Sequence, residues 1–319
     1  MDKNSKILIT GAEGLVGKSL VKELKNQGYE NLILAGRNNL NLTKREEVFE
    51  FFKKESPEYI FHTAAKVGGI KENIENPVEF LRDNILINTN VIDAAFMCKT
   101  EKMINISSAT IYPSKINTPS EEDLFEGKIE EENEAYALSK IVGLKLCEYF
   151  NREYNANFIT LISPNLYGGY SKFDPSKSNA VAALIVRFHA AKENNLLNVV
   201  VWGSGDAQRE FLYIGDLAKI MIESMKSIKK EDTFRGAINC GLGKDISIRE
   251  LAVMIKKIIG FQGELIFDKT KPEGVKKRRL NSSRIKKLLK NVEDTPIEEG
   301  LKITYDYFLN SKNKDGRAN

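Results

Sequence analysis

The first half of the chain alternates short apolar runs with segments of helical periodicity, from Ser5 to about Ile162. This alternation predicts β-α-β units, whose strands form a parallel sheet and are apolar nearly throughout because helices cover both faces. The predicted strands are Lys6–Thr10, Leu32–Ala35, Tyr59–Thr63, Met103–Ser107 and Phe158–Ile162. The predicted helices are Leu15–Lys25, Lys44–Lys54, Pro77–Phe96 and Ala135–Asn151. We therefore predict the α/β class, with a Rossmann-type doubly wound parallel sheet.

The pattern changes after Pro164, where loops that contain glycine and serine become frequent. The predicted elements of this part are Ala182–Lys192, Val199–Trp202 and Leu251–Ile259. A length of 319 residues suits two domains. We predict a first domain over residues 1–165 and a smaller, mixed α/β domain over residues 166–319. Part of the second, around residues 199–240, contains a strand candidate at Ala237–Cys240 that can return to the first domain.

Composition narrows the possible functions. The 48 basic and 44 acidic residues leave a net charge of +4, which is too balanced for a general nucleic-acid-binding protein. Three widely spaced cysteines and two histidines form neither a disulfide framework nor a zinc motif, so we predict no metal and a cytoplasmic location. No apolar run reaches the ~20 residues of a membrane-spanning helix. We therefore expect neither nucleic acid nor membrane as a partner.

A glycine motif, Gly11-Ala-Glu-Gly14-Leu-Val-Gly17, joins the first predicted strand to the first predicted helix. Glycines at this spacing allow a tight turn and let backbone N–H groups approach a pyrophosphate at the N-terminus of the helix. In this context the motif predicts a dinucleotide site, against the alternative of a purely structural turn. The first domain is thus the predicted cofactor-binding domain.

The end of the second predicted strand distinguishes NAD from NADP, because a carboxylate there binds the ribose 2′-hydroxyl whereas a basic residue accepts a 2′-phosphate. The chain has Ala35-Gly36-Arg37 at this place, which favours NADP(H). Glu13 in the glycine motif argues the other way, since its charge would repel the phosphate. We predict NADP(H) and keep NAD(H) as the alternative.

Tyr136 and Lys140 stand four residues apart in the fourth predicted helix and so lie on one face. A phenol with a pKa near ~10 is a poor acid-base catalyst at neutral pH, and an adjacent ammonium is expected to lower that pKa. A ketone that receives hydride needs a proton and a second donor that polarises its oxygen, and Ser108 can be that donor. The structural alternatives are a packed ring beside a solvated lysine, and a serine that merely ends a strand.

The glycine motif, Ser108 and Tyr136-x-x-x-Lys140 occur in the order of the extended short-chain dehydrogenase/reductase family, which the chain resembles over nearly its whole length. Further stretches resemble the GDP-L-fucose synthase family, whose members epimerise and reduce GDP-4-keto-6-deoxymannose. These stretches are Ala64–Gly69, Ser107–Pro113, Pro164–Gly168, Arg187–His189, Val201–Gly205, Arg209–Leu212, Asp268–Gly274 and Lys276–Arg279.

The resemblance implies roles for individual residues. Ser108, Tyr136 and Lys140 would carry the reduction at C4 of the sugar. The implied cofactor-binding residues are Gly11, Gly14, Leu15, Val16, Gly17, Arg37, Ala64, Ala65, Lys140, Pro164, Asn165 and Leu166. The implied residues for the nucleotide sugar are Thr110, Asn179, Arg187, Trp202, Arg209 and Asn281. Arginines suit a diphosphate and tryptophan offers an aromatic face, although ion pairs and core packing are the structural alternatives.

Two positions depart from the family pattern. Thr110 occupies the position of the family's epimerase cysteine, and Asn179 occupies that of its histidine. Neither a hydroxyl nor a carboxamide titrates near neutral pH, so neither replaces a thiol or an imidazole as a proton carrier. We predict an NADPH-dependent C4 reductase of a GDP-linked 4-keto sugar in surface-polysaccharide biosynthesis, possible substrates including sugars epimerised beforehand by a separate enzyme. The alternatives are a bifunctional GDP-L-fucose synthase and a cofactor-binding protein without turnover.

Several questions stay open at this stage. The residues do not distinguish a hexose from a heptose, a 6-deoxy from a 6-hydroxy sugar, either C4 stereoisomer of the product, or guanine from other bases. Asn281 stands where the family usually has an aspartate, which puts its substrate contact in question. The resemblance also implies a homodimer formed through helices such as Pro77–Phe96 and Ala135–Asn151.

Overall fold

The computed structural model describes residues 1–174, 178–271, 274–290 and 294–315. Its strands are β1 (Ile7–Thr10), β2 (Leu32–Ala35), β3 (Tyr59–His62), β4 (Lys102–Ser108), β5 (Phe158–Ser163), β6 (Asn165–Tyr167), β7 (Asn198–Trp202), β8 (Gln208–Tyr213), β9 (Ala237–Asn239), β10 (Asp245–Ser247), β11 (Glu264–Asp268) and β12 (Lys277–Arg278). Its α-helices are α1 (Leu15–Asn26), α2 (Arg45–Glu55), α3 (Ile70–Glu75), α4 (Pro77–Met97), α5 (Glu134–Tyr154), α6 (Ala180–Glu193), α7 (Ile214–Ser227), α8 (Ile248–Ile259), α9 (Ser283–Leu288) and α10 (Ile297–Asp315). Pro272 and Glu273, in the family-like stretch Asp268–Gly274, lie outside the described residues.

Six parallel strands form the central sheet in the order β2-β1-β3-β4-β5-β9. Helices cover both faces, which is why the middle strands consist almost entirely of buried residues. The five predicted strands and four predicted helices of the first half are all present, each within three residues of its predicted bounds. The predicted α/β class and Rossmann-type sheet are confirmed.

Strand β1 is the point at which the strand order changes direction: β2 lies on one side of it, and β3 and the later strands lie on the other. Strand β2 pairs with one side of β1 and β3 with the other, so the loops after β1 and β3 leave the sheet at a shared crevice. Further along the same edge, Ser108 at the end of β4 is in register with Ser163 at the end of β5. The carboxyl edge of the sheet therefore gathers the glycine motif, Ala64, Ser108 and the segment that begins at Pro164.

Two elements that follow Pro164 also belong to this first layer, namely α7 and β9. Strand β9 extends the sheet beside β5, and α7 packs against α1. The buried Lys102 ammonium donates to three carbonyl oxygens at the C-terminal end of α7, those of Ser224, Met225 and Ile228, at 2.5–2.7 Å. A helix leaves these carbonyls without intrahelical donors and favours positive charge there. Strand β7, in contrast, pairs with β11, away from the central sheet.

The remaining elements build a second unit around β8. Strand β10 pairs with β8 antiparallel, whereas β6 and β12 pair with it parallel. Helices α6, α8 and α10 pack together over a separate hydrophobic core that includes Phe188, Leu251 and Phe308. No helix within the described ranges combines the length and apolar character needed to span a bilayer.

Candidate active site

The glycine motif folds into a loop whose shape only glycine permits at two positions. Gly11 has φ +70°, and a Cβ atom there would lie 2.7 Å from the Ala64 Cα. A Cβ atom on Gly17 would collide with the Gly11 carbonyl oxygen. The loop between β1 and α1 therefore packs directly on the backbone that follows β3, and on the first turn of its own helix.

Gly14 is the N-cap of α1 and has no side chain that could accept from the first-turn N–H groups of Leu15 and Val16. Such groups form a partly positive end that binds anions. The strand order places this end at the β1/β3 reversal, where dinucleotides bind in such sheets. The residues present thus fit a dinucleotide, with the N-terminus of α1 and the Gly11–Ala64 contact as the cradle.

Lys140 connects helix α5 to the strand that ends at Ser108. Its side chain is only 4% exposed, and its Nζ donates to the Ile106 carbonyl oxygen at 2.9 Å. The same Nζ lies 5.8 Å from the centre of the Tyr136 ring. The structure therefore brings Lys140, and with it Tyr136, beside the end of β4.

Burial controls the ionisation of this group. Desolvation lowers the pKa of Lys140 to about 8, so its ammonium is held near its titration point. Desolvation also raises the pKa of Tyr136 well above its usual value. Desolvation is the cause of this shift, and the lowering of the tyrosine pKa by Lys140 stays a prediction. A raised pKa keeps the phenol protonated but makes it a weaker acid, so burial alone does not activate Tyr136 as a proton donor.

A buried network of hydrogen-bonded polar side chains connects β1 and β3 to α5. The sequence analysis did not predict it. His62 Nδ1 lies 2.7 Å from Thr10 Oγ1, and His62 Nε2 lies 3.1 Å from Asn88 Oδ1. Asn88 Nδ2 donates to the Ser139 carbonyl oxygen at 3.0 Å. The amide oxygen of Asn88 must therefore accept, which assigns the imidazole proton to Nε2 and makes Thr10 the donor to Nδ1.

Burial, with a contribution from the Lys140 charge, lowers the pKa of His62 to about 3. A neutral imidazole is the form that the assigned hydrogen bonds require. This hydrogen-bond network links Thr10, the residue before the glycine motif, to Ser139, the residue before Lys140. A histidine inside the apolar run Tyr59-Ile-Phe-His62 was the signal in the sequence, since a buried histidine needs partners on both nitrogens.

The two positions that depart from the family pattern have different surroundings. Asn179 is the N-cap of α6: its Oδ1 accepts from the Ala182 N–H (3.0 Å), and its Nδ2 donates to the Leu166 carbonyl oxygen (3.2 Å). Its side chain thus holds the start of the helix. Thr110 follows Ser108 in a short 3-10 helix, and its N–H donates to Ser108 Oγ at 3.4 Å. The Thr110 hydroxyl is buried and has no partner among the described residues.

Arg187 and Trp202 form one part of the predicted substrate site. The guanidinium carbon of Arg187 lies 5.3 Å from the centre of the indole ring, and the ring is 43% exposed. Arg187 also donates to the Val200 carbonyl oxygen at 3.5 Å. A tryptophan that is this exposed does not belong to the hydrophobic core, so the structural alternative of core packing for Trp202 is excluded. The pair offers an aromatic face and a cation to a ligand.

Arg209 lies on β8, beside Gly274, and a Cβ atom on Gly274 would be 3.2 Å from the Arg209 Nη2. Arg278, which was not singled out, is only 7% exposed, and its Nη1 donates to the carbonyl oxygens of Pro113 and Ile116 (2.9 and 3.1 Å). Burial, followed by the charge of Arg209, lowers the pKa of Arg278, although Glu130 acts in the opposite sense. Two arginines and the Glu130 carboxylate, which accepts from the Val275 N–H at 3.0 Å, therefore meet in this part of the site.

Asn281 is held by its backbone beneath the loop that follows Ser108. Its N–H donates to the Pro119 carbonyl oxygen (2.9 Å), and its carbonyl oxygen accepts from Asn239 Nδ2 (3.0 Å). Asn239 Oδ1 accepts in turn from the buried Tyr112 hydroxyl (2.7 Å). The Asn281 side chain accepts from the Ser283 N–H at 3.1 Å and so starts the turn into α9.

The other predicted cofactor residues lie around the crevice. Ala64 is nearly buried and Ala65 is half-buried after β3, while Pro164, Asn165 and Leu166 continue from β5. Arg37 is exposed after β2. Within the described ranges, no group of three or more histidine, cysteine, aspartate or glutamate side chains is arranged to hold a metal ion.

Comparisons with known proteins agree with this geometry. The chain matches the model of the NAD dependent epimerase/dehydratase family over residues 7–241. It is 37% identical to the GDP-L-fucose synthase of Escherichia coli (strain K12) over 315 residues, which is 97% of this chain and 98% of that protein. A GDP-6-OMe-4-keto-L-xylo-heptose reductase from Campylobacter jejuni has a similar structure, with 34% identity, a TM-score of 0.92, and coverage of 98% of this chain and 99% of that one. A GDP-mannoheptose C4 reductase from Campylobacter jejuni with NADP bound is 35% identical, with a TM-score of 0.89 and coverage of 97% and 99%.

A Rossmann-type sheet with a glycine cradle and a Ser/Tyr/Lys group at its carboxyl edge is the architecture of a dinucleotide-dependent oxidoreductase. The chain belongs to the NAD dependent epimerase/dehydratase family and, within it, to the GDP-L-fucose synthase family. The predicted family and the prediction of an oxidoreductase are confirmed.

The packing of the glycine loop predicts the effect of one added methyl group. Gly17→Ala pushes α1 away from the Gly11 carbonyl oxygen, and we expect the affinity for the dinucleotide to fall at least about tenfold, or about 1.4 kcal/mol. Gly28→Ala is a matched control: Gly28 also has a positive φ, of +79°, but an added Cβ meets no atom within 4 Å. The control should lose only about 1 kcal/mol of stability. Fluorescence titration with NADPH measures both, and equal affinities for the two variants would contradict the cradle.

Proposed function

We propose that this protein is an NADPH-dependent reductase of the C4 ketone of a GDP-linked 4-keto sugar, and that it has no C3/C5 epimerase activity. The observation that carries this proposal is the contrast within one site. Ser108, Tyr136 and Lys140 are kept together, whereas Asn179 caps a helix and Thr110 bears a hydroxyl where epimerisation would need groups that titrate. The alternative of a cofactor-binding protein without turnover does not account for the retained reduction group.

The cofactor is NADP(H). The glycine cradle fits a dinucleotide, Arg37 follows β2, and a Campylobacter reductase that is 35% identical has NADP bound. NADPH supplies hydride when it is bound. The residues that would hold it are the first-turn N–H groups of α1 and the backbone around Ala64, with Lys140 toward the ribose next to the nicotinamide.

Tyr136 gives its proton to the C4 oxygen of the sugar as the ketone becomes an alcohol. The phenol holds its proton at neutral pH, and the alkoxide that forms at C4 is a stronger base than the phenolate, so the proton moves to the sugar oxygen. Ser108 Oγ, at the end of β4, donates a second hydrogen bond to the same oxygen and polarises the carbonyl. Lys140, hydrogen-bonded to Ile106, holds a positive charge near the tyrosine ring and stabilises the negative charge that develops on the phenol oxygen as its proton leaves.

The substrate belongs to the GDP-linked 4-keto sugars, which include 6-deoxyhexoses and heptoses. Support comes from the relatives, which are a GDP-L-fucose synthase and two Campylobacter reductases of GDP-heptoses. Arg209 and Arg278, with Arg187 stacked on Trp202, are suited to a diphosphate and a base.

A bifunctional GDP-L-fucose synthase remains the second candidate, because the Escherichia coli enzyme of that name is 37% identical over nearly the whole chain. If this protein is a reductase alone, a separate enzyme that acts earlier must carry out any epimerisation that the product requires. Both readings suit a role in surface-polysaccharide sugar synthesis in the cytoplasm.

The proposed enzyme is a homodimer formed through α4 and α5. These two helices pack on each other and still expose apolar side chains, including Val78 (67% exposed), Leu86 (37%) and Leu138 (41%). A second copy of the same helix pair would bury this surface in a four-helix arrangement.

Exchange with solvent separates the two candidate functions. In deuterated water, we expect GDP-4-keto-6-deoxymannose or the corresponding heptose to be reduced by NADPH without deuterium at C3 or C5, since the described site offers no titrating pair there. NMR spectroscopy of the product measures this, and the Escherichia coli enzyme is the positive control. Deuterium at either carbon would restore the bifunctional reading.

Removal of one hydroxyl tests the role of Tyr136. Tyr136→Phe should lower kcat about 10²- to 10⁴-fold, because the proton donor is lost while the packed ring remains. The affinity for NADPH should stay within about threefold. Tyr149→Phe, on an exposed part of the same helix, is the matched control and should keep normal turnover. Near-normal turnover of Tyr136→Phe would exclude this tyrosine as the proton donor.

A further inference from the structure

The glycine loop brings a carboxylate to the end of β2, where the chain itself has none. Strand β2 ends at Ala35, and Gly36 follows. A Cβ atom on Gly36 would lie 2.5–2.7 Å from the Cγ, Cδ and Oε1 atoms of Glu13. The carboxylate of Glu13 therefore fills the space that a side chain at the end of β2 would occupy. In dinucleotide-binding sheets, an acidic side chain at this place accepts the ribose 2′-hydroxyl.

The position of Glu13 is fixed by neighbouring groups. Asn38 Nδ2 donates to Glu13 Oε1 at 2.9 Å. The Ala12 N–H, next to Glu13, donates to the Ala35 carbonyl oxygen at 3.2 Å and ties the glycine loop to β2. An ionised carboxylate offers about four acceptor positions, of which Asn38 uses one. Glu13 is exposed, and so is Arg37 on the same loop as Asn38, which leaves both charges accessible to a ligand.

We propose that Glu13 accepts hydrogen bonds from the adenosine ribose hydroxyls, so that this enzyme binds NAD(H) as well as NADP(H). The inference rests on the cofactor site of the proposed function and adds a second cofactor to it. Glu13 serves the 2′-hydroxyl of NAD(H), Arg37 serves the 2′-phosphate of NADP(H), and Asn38 is a positioning residue for Glu13. The Glu13 carboxylate belongs to the glycine loop and not to the segment after β2. For that reason the sequence after β2 shows no acidic residue for the ribose.

The opposed charges predict opposed effects of two substitutions on binding. Glu13→Gln keeps the shape but removes the charge, so the dissociation constant for NAD⁺ should rise about tenfold while that for NADP⁺ should fall. Arg37→Gln should weaken NADP⁺ about tenfold and leave NAD⁺ nearly unchanged. Asn38→Ala should shift the ratio in the same direction as Glu13→Gln, by a smaller factor. Glu30→Gln, an exposed carboxylate before β2, is the control for net charge and should move neither constant.

Isothermal titration calorimetry of the full-length protein with NADP⁺ and with NAD⁺ measures these constants without any sugar. We expect wild-type NAD⁺ binding within about tenfold of NADP⁺. Parallel changes for the two dinucleotides in Glu13→Gln, or an unchanged ratio, would overturn the inference while leaving the proposed function intact. Failure of wild type to bind NAD⁺ while it binds NADP⁺ would do the same. Failure to bind either dinucleotide would overturn the proposed function as well.

Discussion

The hydrogen bond from Lys140 Nζ to the Ile106 carbonyl oxygen joins the helix that carries Tyr136 to the strand that ends at Ser108. A lysine that is almost fully buried needs such an acceptor, because an ammonium without hydrogen bonds is costly away from water. The bond fixes how far α5 lies along β4 and therefore where the phenol stands relative to the serine hydroxyl. The proposed catalytic group is thus positioned by packing of α5 on the sheet.

The polar chain from Thr10 through His62 and Asn88 to the Ser139 carbonyl oxygen extends this support to the cofactor side. It joins the end of β1, where the glycine loop starts, to the turn of α5 that contains Lys140. Every partner in it is buried, so loss of one would leave an unsatisfied group, which commonly costs about 1–3 kcal/mol. The glycine loop and the helix that carries Tyr136, the proposed proton donor, are in this way joined along the carboxyl edge.

Much of the fold was predictable, because strands covered by helices on both faces are apolar runs and the helices between them keep a 3.6-residue period. The glycine motif and the Tyr136/Lys140 spacing depend on local chain geometry, so they were readable too. Helix α7 was missed because it follows β8 directly, with Tyr213 as its N-cap and no loop between them. Contacts distant in sequence were not readable, and these include the partners of His62 and the burial that raises the pKa of Tyr136. These depend on which surfaces meet.

Transfer of hydride to C4 of the sugar at this edge of the sheet is the central step of the proposed reaction. The direct measurement uses NADPH deuterated at the nicotinamide C4, in the 4R and 4S forms separately, with mass spectrometry and NMR of the GDP-sugar product. One form should place a single deuterium at sugar C4, and the other should place none, because the crevice presents one face of the ring. Consumption of NADPH without deuterium at C4 from either form would contradict the account.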